Sequence, residues 1–325
     1  MNKTVKEKII SRLAEGNFVS GQELGEELGI SRAAISKHMK AIVDMGLDVF
    51  SVTGKGYRLA EPLDLLDEFK INHFLNQSNL NPIVDVFGII DSTNDYLLRK
   101  LPNSVNLGQV CVAEYQSSGR GRRGRKWISP FGANVYLSMY WNIEQGMSAA
   151  MGLNIVAALA VCSAIKKECN ITPQLKWPND IYCEGVKLAG ILIDLEGQAL
   201  EPCHCVIGIG LNLNMPDSSG ARVDQPWTAI NKHISTKIDR NRLVAAIIEE
   251  LSLRVSEHLK PERSDVVQEW NELDYYFNQP VKLISGKKEV IGISRGIDQQ
   301  GALLLETAGE LKTMYGGELS LRSAK

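Results

Sequence analysis

Residues 118–127 read SGRGRRGRKW, with glycines spaced G-x-G-x-x-G and five cations in ten residues. Whether this segment opens a dinucleotide-binding βαβ unit decides the fold of the middle of the chain. Such a unit needs a strand, the glycine turn and then a helix. A strand pattern does precede the loop, over 108–115, but Trp127-Ile128-Ser129-Pro130 opens no helix. The next apolar run, 134–141, follows too soon for a crossover connection, which takes about a dozen residues. The segment also fails as a P-loop, because Gly124 is followed by Arg125-Lys126-Trp127 and not by Lys-Ser/Thr. What remains is a glycine-jointed loop carrying Arg120, Arg122, Arg123, Arg125 and Lys126. Its charges repel one another, so the loop is expected to be mobile until an anion neutralises it. Guanidinium forks match phosphate and carboxylate oxygens, and Trp127 offers a flat apolar face to a base or ring. A nucleic-acid patch is the rival reading of the same charges.

The bulk of the chain sets limits around that loop. At about 100–200 residues per domain, 325 residues allow two or three domains. Hydrophobic residues make up 44% and charged residues 23%, which suits a soluble chain with a packed core. A net charge of −2 excludes nucleic-acid binding over the whole surface, so any basic function is local. The six cysteines are scattered, mostly in apolar surroundings, and are expected to be free thiols in a reducing cytoplasm. Cys203-His204-Cys205 lacks the second ligand pair that a zinc site needs. The first ten residues, MNKTVKEKII, contain no apolar core of a signal peptide. The longest apolar run, 149–165, is judged too short to span a bilayer and is expected to be a buried helix, so no membrane association is expected.

Residues 1–62 form one predicted unit. Val5, Ile9, Ile10 and Leu13 recur at helical spacing, and Ser20 to Glu23 reads as a capping box that starts a helix through Leu28. Ser31 caps the next helix, which turns Ile35, Met39 and Ile42 inward and leaves Arg32, Ala33, Ser36, Lys37 and Lys40 outward. Residues 49–59 read as a hairpin turning at 53–56, with Lys55 at its tip. Two helices around a glycine turn, followed by a hairpin, make a winged helix-turn-helix. From Ser31 to Arg58 five cations stand against two acids, a local surplus suited to DNA phosphates. Such small helical units also serve protein contacts.

Residues 63–273 alternate strand and helix patterns, the mark of an α/β or α+β domain. Ser92, Thr93 and Asn94 follow an apolar strand and open a helix, where they cap it or present donors to a polar ligand. Lys176 to Asp180 ends a strand, and Asp180 reads as a magnesium ligand or a plain turn residue. Period two puts Lys187, Ala189 and Ile191 on one strand face, beside Gly190. Gly208, Gly210 and Asn212 share a face of the strand over 206–212, so something presses close to that backbone, whether ligand or protein. Residues 274–325 become short β-rich runs (281–284, 290–294, 302–306, 310–314 and 319–321) separated by glycines, read as a small antiparallel barrel.

In combination, SGRGRRGRKW, KWPNDI, KLAGIL and GIGLN, with SRAAISKHM and GKGY near the N-terminus and GISRGIDQQGALLLE near the C-terminus, resemble the bifunctional biotin–protein ligase and biotin-operon repressor family over essentially the whole chain. The resemblance implies an α+β multidomain fold: a winged helix-turn-helix (1–62), a class II synthetase-like α/β ligase core (63–273) and an SH3-like β-barrel (274–325). It implies ATP-dependent conversion of biotin to biotinyl-5'-AMP, with Mg2+, and transfer to a lysine of the biotin carboxyl carrier protein of acetyl-CoA carboxylase. It also implies an adenylate-bound homodimer that represses at operator DNA. By that resemblance, Ser92, Thr93, Asn94, Gln116, Arg120, Gly121, Arg122, Lys187 and Gly190 form the biotin site. Arg125, Trp127, Lys176, Asn179, Asn212 and Trp227 bind ATP, and Asp180 holds the metal. Lys187, Arg122 and Asp180 are the catalytic candidates, and Arg32, Ala33, Ser36, Lys37, Lys40 and Lys55 face DNA. The 215–225 loop departs most from the family pattern. Rival readings are a lipoate–protein ligase, a regulator whose core has lost catalysis, and a purely nucleic-acid-binding protein. The Arg loop, Lys187 and the near-neutral total charge argue against them in turn.

Overall fold

A computed structural model describes residues 3–198, 201–260, 265–286, 288–316 and 319–324. The chain begins with α1 (Val5–Leu13), α2 (Gly21–Leu28), α3 (Arg32–Asp44) and the hairpin β1 (Val49–Val52) and β2 (Gly56–Leu59). Thr4 and Glu7 close a full capping box at α1: Glu7 N–H donates to the Thr4 hydroxyl and Thr4 N–H donates to the Glu7 carboxylate. The box expected at Ser20 is only half formed. Ser20 Oγ accepts from Glu23 N–H at 3.0 Å, but the Glu23 carboxylate meets Arg12 at 3.1 Å instead. Ile35, Met39 and Ile42 pack inward against Ile9, Ile10, Leu13 and Leu24, as the periodicity predicts. The hairpin also pairs with Val19 through Tyr57, and at Gly56 (φ +98°) a Cβ would lie 2.2 Å from the Val19 carbonyl oxygen. Only glycine fits there.

The middle of the chain adds α4 (Glu68–Gln77), β3 (Val84–Ile90), α5 (Thr93–Leu98), β4 (Val110–Gln116), β5 (Val135–Ile143), α6 (Leu153–Cys169), β6 (Gln174–Lys176), β7 (Asp180–Cys183), β8 (Val186–Glu196), β9 (Cys203–Leu211), α7 (Asp217–Gly220), α8 (Arg240–His258) and α9 (Val267–Leu273). Seven strands form one sheet in the order β3-β4-β5-β9-β8-β7-β6, in which β3 and β4 run parallel and the other pairs antiparallel. α4, α6 and α8 cover one face, where Val112, Leu137, Ile209 and Ile191 are buried with them. α5 covers a corner of the other face, over β4, β5 and β9, the winged helix packs on it at Ile89 and Tyr115, and the part over β8 and β9 opens into a cleft. The segment Met147–Cys169 is, by length and composition, long and apolar enough to cross a membrane, contrary to its reading as too short. Here α6 is buried nearly all round against the sheet and α8, as a core helix.

The winged helix is fastened to the sheet domain by apolar packing of Phe131, Ile89 and Tyr115 against its core, by a bond from Ile89 N–H to the Glu7 carboxylate, and by polar contacts of the connecting segment. The nearly inaccessible Arg240 and Glu114 pair at 2.7 Å. Glu114 also accepts from Leu66 N–H, Arg240 donates to the Asp64 carbonyl, and Asn241 Oδ1 accepts from Asp67 N–H. Asn241 Nδ2 donates to the Leu65 carbonyl, so four consecutive residues of the connecting segment, 64–67, are bonded to the sheet and α8. Phe131 N–H donates to the Met45 carbonyl at the end of α3, and a Cβ on Gly46 would lie 2.7 Å from Pro130 Cβ.

The last strands are β10 (Pro280–Ser285), β11 (Lys288–Ile297), β12 (Leu303–Thr307), β13 (Glu310–Met314) and β14 (Leu319–Ser323). All five β-rich runs are strands, but the sheet they form is open. Its order is β13-β12-β11-β10-β14, and no ladder joins β13 to β14 among the described residues, so the expected barrel is not closed. Tyr275 N–H donates to the Leu175 carbonyl, and the buried Trp177 indole donates to the Gly301 carbonyl, docking this sheet against the β6–β7 hairpin.

Asp274 lies at that junction, and burial pushes its carboxyl up to about 6 against the opposing bond from Tyr276 N–H. In the unfolded chain the group loses its proton near 3.8. Across that window the folded state holds a proton the unfolded state has released, so its contribution declines as pH rises. Asp274→Asn is therefore expected to stabilise the protein relative to the parent, with the advantage growing by about 1–2 kcal/mol between pH 5 and pH 7.5. Urea titrations of both proteins at the two pH values measure it.

Candidate active site

The open face of the sheet is floored by glycines. Gly190 on β8 and Gly210 on β9 lie directly opposite each other, and Gly208 faces the same way one step along. A Cβ on Gly210 would sit 2.3 Å from Trp127 Cε2, and one on Gly208 would sit 2.1 Å from Asn94 Oδ1. What presses against this backbone is thus the protein itself: the indole at the end of the Arg loop and the amide at the start of α5. Between them lies a cleft of about 600 Å³. Every residue assigned to biotin or ATP lines it, from Ser92 to Trp227.

Lys187 reaches the cleft for a reason that simple alternation misses. A bulge between β7 and β8 pairs Ile181 with Ala189 but Tyr182 with Lys187, so Leu188 is an extra residue. The bulge moves Lys187 off the face of Ala189 and Ile191, where period two had put it, and onto the face of Gly190. Its Nζ stands 2.7 Å from Asp180 Oδ1 and 5.5 Å from the centre of the Trp127 ring. Asp180 lies opposite both Lys176 and Gly190, with Lys176 Nζ at 3.8 Å. Lys176 also donates to the Tyr182 hydroxyl at 2.8 Å. The cleft therefore carries two ammonium groups around one carboxylate.

The Arg loop is folded, not extended. Arg120 and Lys126 form a bridge, Gly121 N–H donates to the Arg125 carbonyl, and Arg122–Gly124 make a 3-10 turn with Arg123 in the left-handed region. No α-helix follows it, so the dinucleotide reading fails in the structure as well. Arg120 Nη2 lies 2.7 Å from both Asp95 and Asp194, and these carboxylates outweigh partial burial to hold its pKa above the usual value. Arg122 is half-buried and donates to Asn179 Oδ1 at 2.7 Å and toward the Leu319 carbonyl of β14 at 3.4 Å. Burial lowers the Arg122 pKa, with Asp180 opposing. Arg123, Arg125 and Lys126 are exposed and form no ion pair among the described residues. The expectation of self-repulsion omitted the acids that other segments bring to Arg120.

Ser92 caps α5, its Oγ accepting from Asp95 N–H. The Thr93 hydroxyl and N–H both donate to Gln116 Oε1. Asn94 donates to Asp194 Oδ2 at 2.8 Å, and its carbonyl oxygen faces the Ser138 hydroxyl. Capping and a cleft-lining polar cluster therefore coexist. Asn179 spends its amide on the Ile191 carbonyl and on Arg122, and Asn212 donates to the Thr228 carbonyl. These two shape the cleft through neighbouring segments. Trp227 is set beside Lys187 by a backbone bridge, with its indole donating to the Gly220 carbonyl and Lys232 Nζ 4.0 Å from the ring centre.

Sequence reasoning missed Ser138, Asp194 and Tyr182, together with Leu319 to Arg322, which the C-terminal sheet contributes to the cleft. The face pattern held the signal for Asp194, which stands two and four residues beyond Leu192 and Gly190 on one side of β8. The run over 319–321 read as a strand, but nothing local marked it as part of the cleft. All six cysteines are free and buried, and burial pushes the Cys169 thiol up to about 11. His204 is bonded to the Tyr140 hydroxyl, and no cluster of three metal-ligating side chains occurs among the described residues.

In the winged helix, Arg32, Ala33, Ser36, Lys37 and Lys40 are exposed on α3, and Lys55 is exposed at the hairpin turn. Arg58 is half-buried, its guanidinium 4.9 Å from the Phe18 ring centre and 5.7 Å from that of Phe50.

Comparison with known proteins follows the same three parts. The HTH domain profile matches residues 5–58, that of the Biotin/lipoate A/B protein ligase family residues 86–212, and that of the Biotin protein ligase C terminal domain residues 276–322. The Bifunctional ligase/repressor BirA of Salmonella typhimurium is 48% identical over 322 residues, covering 99% of each chain. The protein of that name from Escherichia coli is 47% identical over 322 residues, covering 99% of this chain and 98% of its own. The structure of the biotin protein ligase from Aquifex aeolicus in complex with biotin and ATP superposes with a TM-score of 0.64 at 26% identity, over 74% of this chain and 99% of that one. Full-length similarity at that level, over the same three parts, places this chain in the bifunctional biotin–protein ligase and repressor family.

Proposed function

We propose that the chain joins biotin to ATP as biotinyl-5'-AMP, transfers biotin to a lysine of a biotin carboxyl carrier protein, and represses transcription as an adenylate-bound dimer. The observation that carries this reading is the glycine-floored cleft, where the Arg loop, Lys176, Asp180, Lys187 and the α5 N-terminal residues converge. In the first step a biotin carboxylate oxygen attacks the α-phosphorus of ATP, and pyrophosphate leaves. Negative charge builds on the phosphoryl oxygens, so cations fixed beforehand lower the barrier. Lys187 is held by Asp180 and Arg122 by Asn179, so neither needs reorienting as charge develops. In the second step the neutral amine of the acceptor lysine attacks the anhydride carbonyl and AMP leaves. The folded Arg loop limits water access to the anhydride in the interval.

The carboxylates lining the cleft are Asp180 and Asp224, and Asp180 is already flanked by two ammonium groups. That set suits a magnesium ion carried in on the triphosphate, with Asp180 as one oxygen donor, better than a resident ion. When bound, the metal neutralises phosphate charge. For repression, the exposed cations of α3 and Lys55 suit phosphates and bases of operator DNA, and a dimer presents two such units to two half-sites. The free, buried cysteines fit a reducing cytoplasm.

The test is incubation with biotin, ATP, magnesium and a carrier domain, read by mass spectrometry as biotin addition to one lysine. Addition of lipoate in its place would move the reading to the lipoate branch of the family. Arg122→Gly removes the bonds to Asn179 and the Leu319 carbonyl. It is expected to release adenylate at least about tenfold faster in rapid gel filtration, and to weaken dimerisation in sedimentation. Gly210→Ala must displace the Trp127 ring, and is expected to raise the KM for ATP by about tenfold or more in pyrophosphate exchange.

A further inference from the structure

We infer that Asp194 is a positioning residue for biotin activation, a clamp whose single carboxylate both orients Asn94 and holds down the Arg loop; the inference rests on the biotin-ligase reading above. Asp194 stands near the outer end of β8, on the cleft face shared with Leu192 and Gly190. Its Oδ2 accepts from Asn94 Nδ2 at 2.8 Å and meets Arg120 Nη2 at 2.7 Å, while its Oδ1 lies 3.4 Å from Arg120 Nη1. The Asn94 amide is thereby fixed, its nitrogen toward Asp194 and its oxygen toward the Ser138 hydroxyl.

The far end of the Arg loop is tied into the same polar circuit. The Trp127 carbonyl accepts from the Ser129 hydroxyl, whose oxygen accepts from Gln116 Nε2. Gln116 Oε1 accepts from Thr93, and the Thr93 hydroxyl lies 2.7 Å from Ser138 Oγ. The chain of contacts thus runs from Arg120 through Asp194, Asn94, Ser138, Thr93, Gln116 and Ser129 back to Trp127. It joins both ends of the loop across the floor of the cleft. Asp194 is the acceptor on which this circuit turns from the loop to α5. A carboxylate accepts from both donors at once, and the Asn isostere would turn a donor toward one of them. Asp95 shares only the Arg120 half of the task, at 2.7 Å.

That division of labour supplies the test. Asp194→Asn is expected to raise the KM for biotin and to shorten adenylate retention, each by about three- to tenfold, with little change in kcat for adenylate formation. Asp95→Asn is expected to shorten retention and leave the KM for biotin unchanged. Asp194→Glu is expected to restore part of both. Because the Arg120 pairs are partly exposed, molar salt should shorten retention in the parent and have less effect on Asp194→Asn. Amide exchange over 119–127 should quicken in both Asn variants, a readout independent of any activity. Should Asp194→Asn not fold, shortened retention in Asp95→Asn together with its unchanged KM supports the clamp, and unchanged retention overturns it. Unaltered exchange and unaltered KM in a folded Asp194→Asn protein overturn the inference while the parent still makes adenylate. A parent that makes no adenylate from biotin and ATP overturns the functional reading instead, and the exchange data still decide the clamp.

Discussion

Gly190 and Gly210 face each other across the β8–β9 ladder, and the space left by their missing side chains sets the geometry of the site. The Trp127 ring packs into that space, within 2.3 Å of where a Gly210 Cβ would stand. Lys187 reaches the same floor, its Nζ 3.5 Å from the corresponding point on Gly190. An aromatic ring on two bare backbones gives a shallow, rigid base and brings the end of the Arg loop down to the sheet. Any β-carbon at Gly210 would lift the ring and, with it, the end of the Arg loop. The central strands are buried on their other face by α6 and α8, so the floor cannot yield by sinking.

On that floor, the charges of the cleft fall into three kinds. Arg120 is spoken for by Asp95 and Asp194 and serves as an anchor. Arg122, Lys176 and Lys187 are held by Asn179, Tyr182 and Asp180, and all three line the open cleft. Arg123, Arg125 and Lys126 stay exposed at the rim. Anchors cost little when the site is empty, because their charge is already answered. The held cations are what preorganised electrostatic catalysis requires, since their orientation precedes the ligand. Removing one carboxylate from such a set therefore changes the loop, the neighbouring amide and the local field together, and the effects of separate substitutions here will not add.

Much of this was legible in the sequence. The winged helix, the buried helix α6, the five C-terminal strands and the failure of the G-x-G-x-x-G segment as a dinucleotide site all followed from periodicity, caps and spacing. Helix periodicity is a local signal, and so are glycine turns. What escaped were relations between distant segments. The capping box at Ser20 looked complete, yet Glu23 turns to Arg12 on another helix. The partners of Arg120 could not be read from the loop, because Asp95 lies on α5 and Asp194 on β8. The open edge of the C-terminal sheet depends on which strands meet, and five short β patterns fit a closed barrel as readily as an open sheet.

Lys187 shows the limit most sharply. Counting by two along β8 gives a definite face, and it is the wrong one, because Leu188 is an extra residue in the ladder with β7. A bulge of this kind is set by the partner strand: Asp180 must face Gly190 while Tyr182 faces Lys187, so that Asp180, Tyr182 and Lys187 converge on one side. Without it, a regular ladder would send the ammonium to the helix-covered face, where burial would penalise its charge. The bulge is thus the local irregularity that turns an ordinary strand lysine into one held against Asp180 above a glycine floor. The count by two held for Gly208 and Gly210 on β9 and failed at Lys187, where the bulge intervenes.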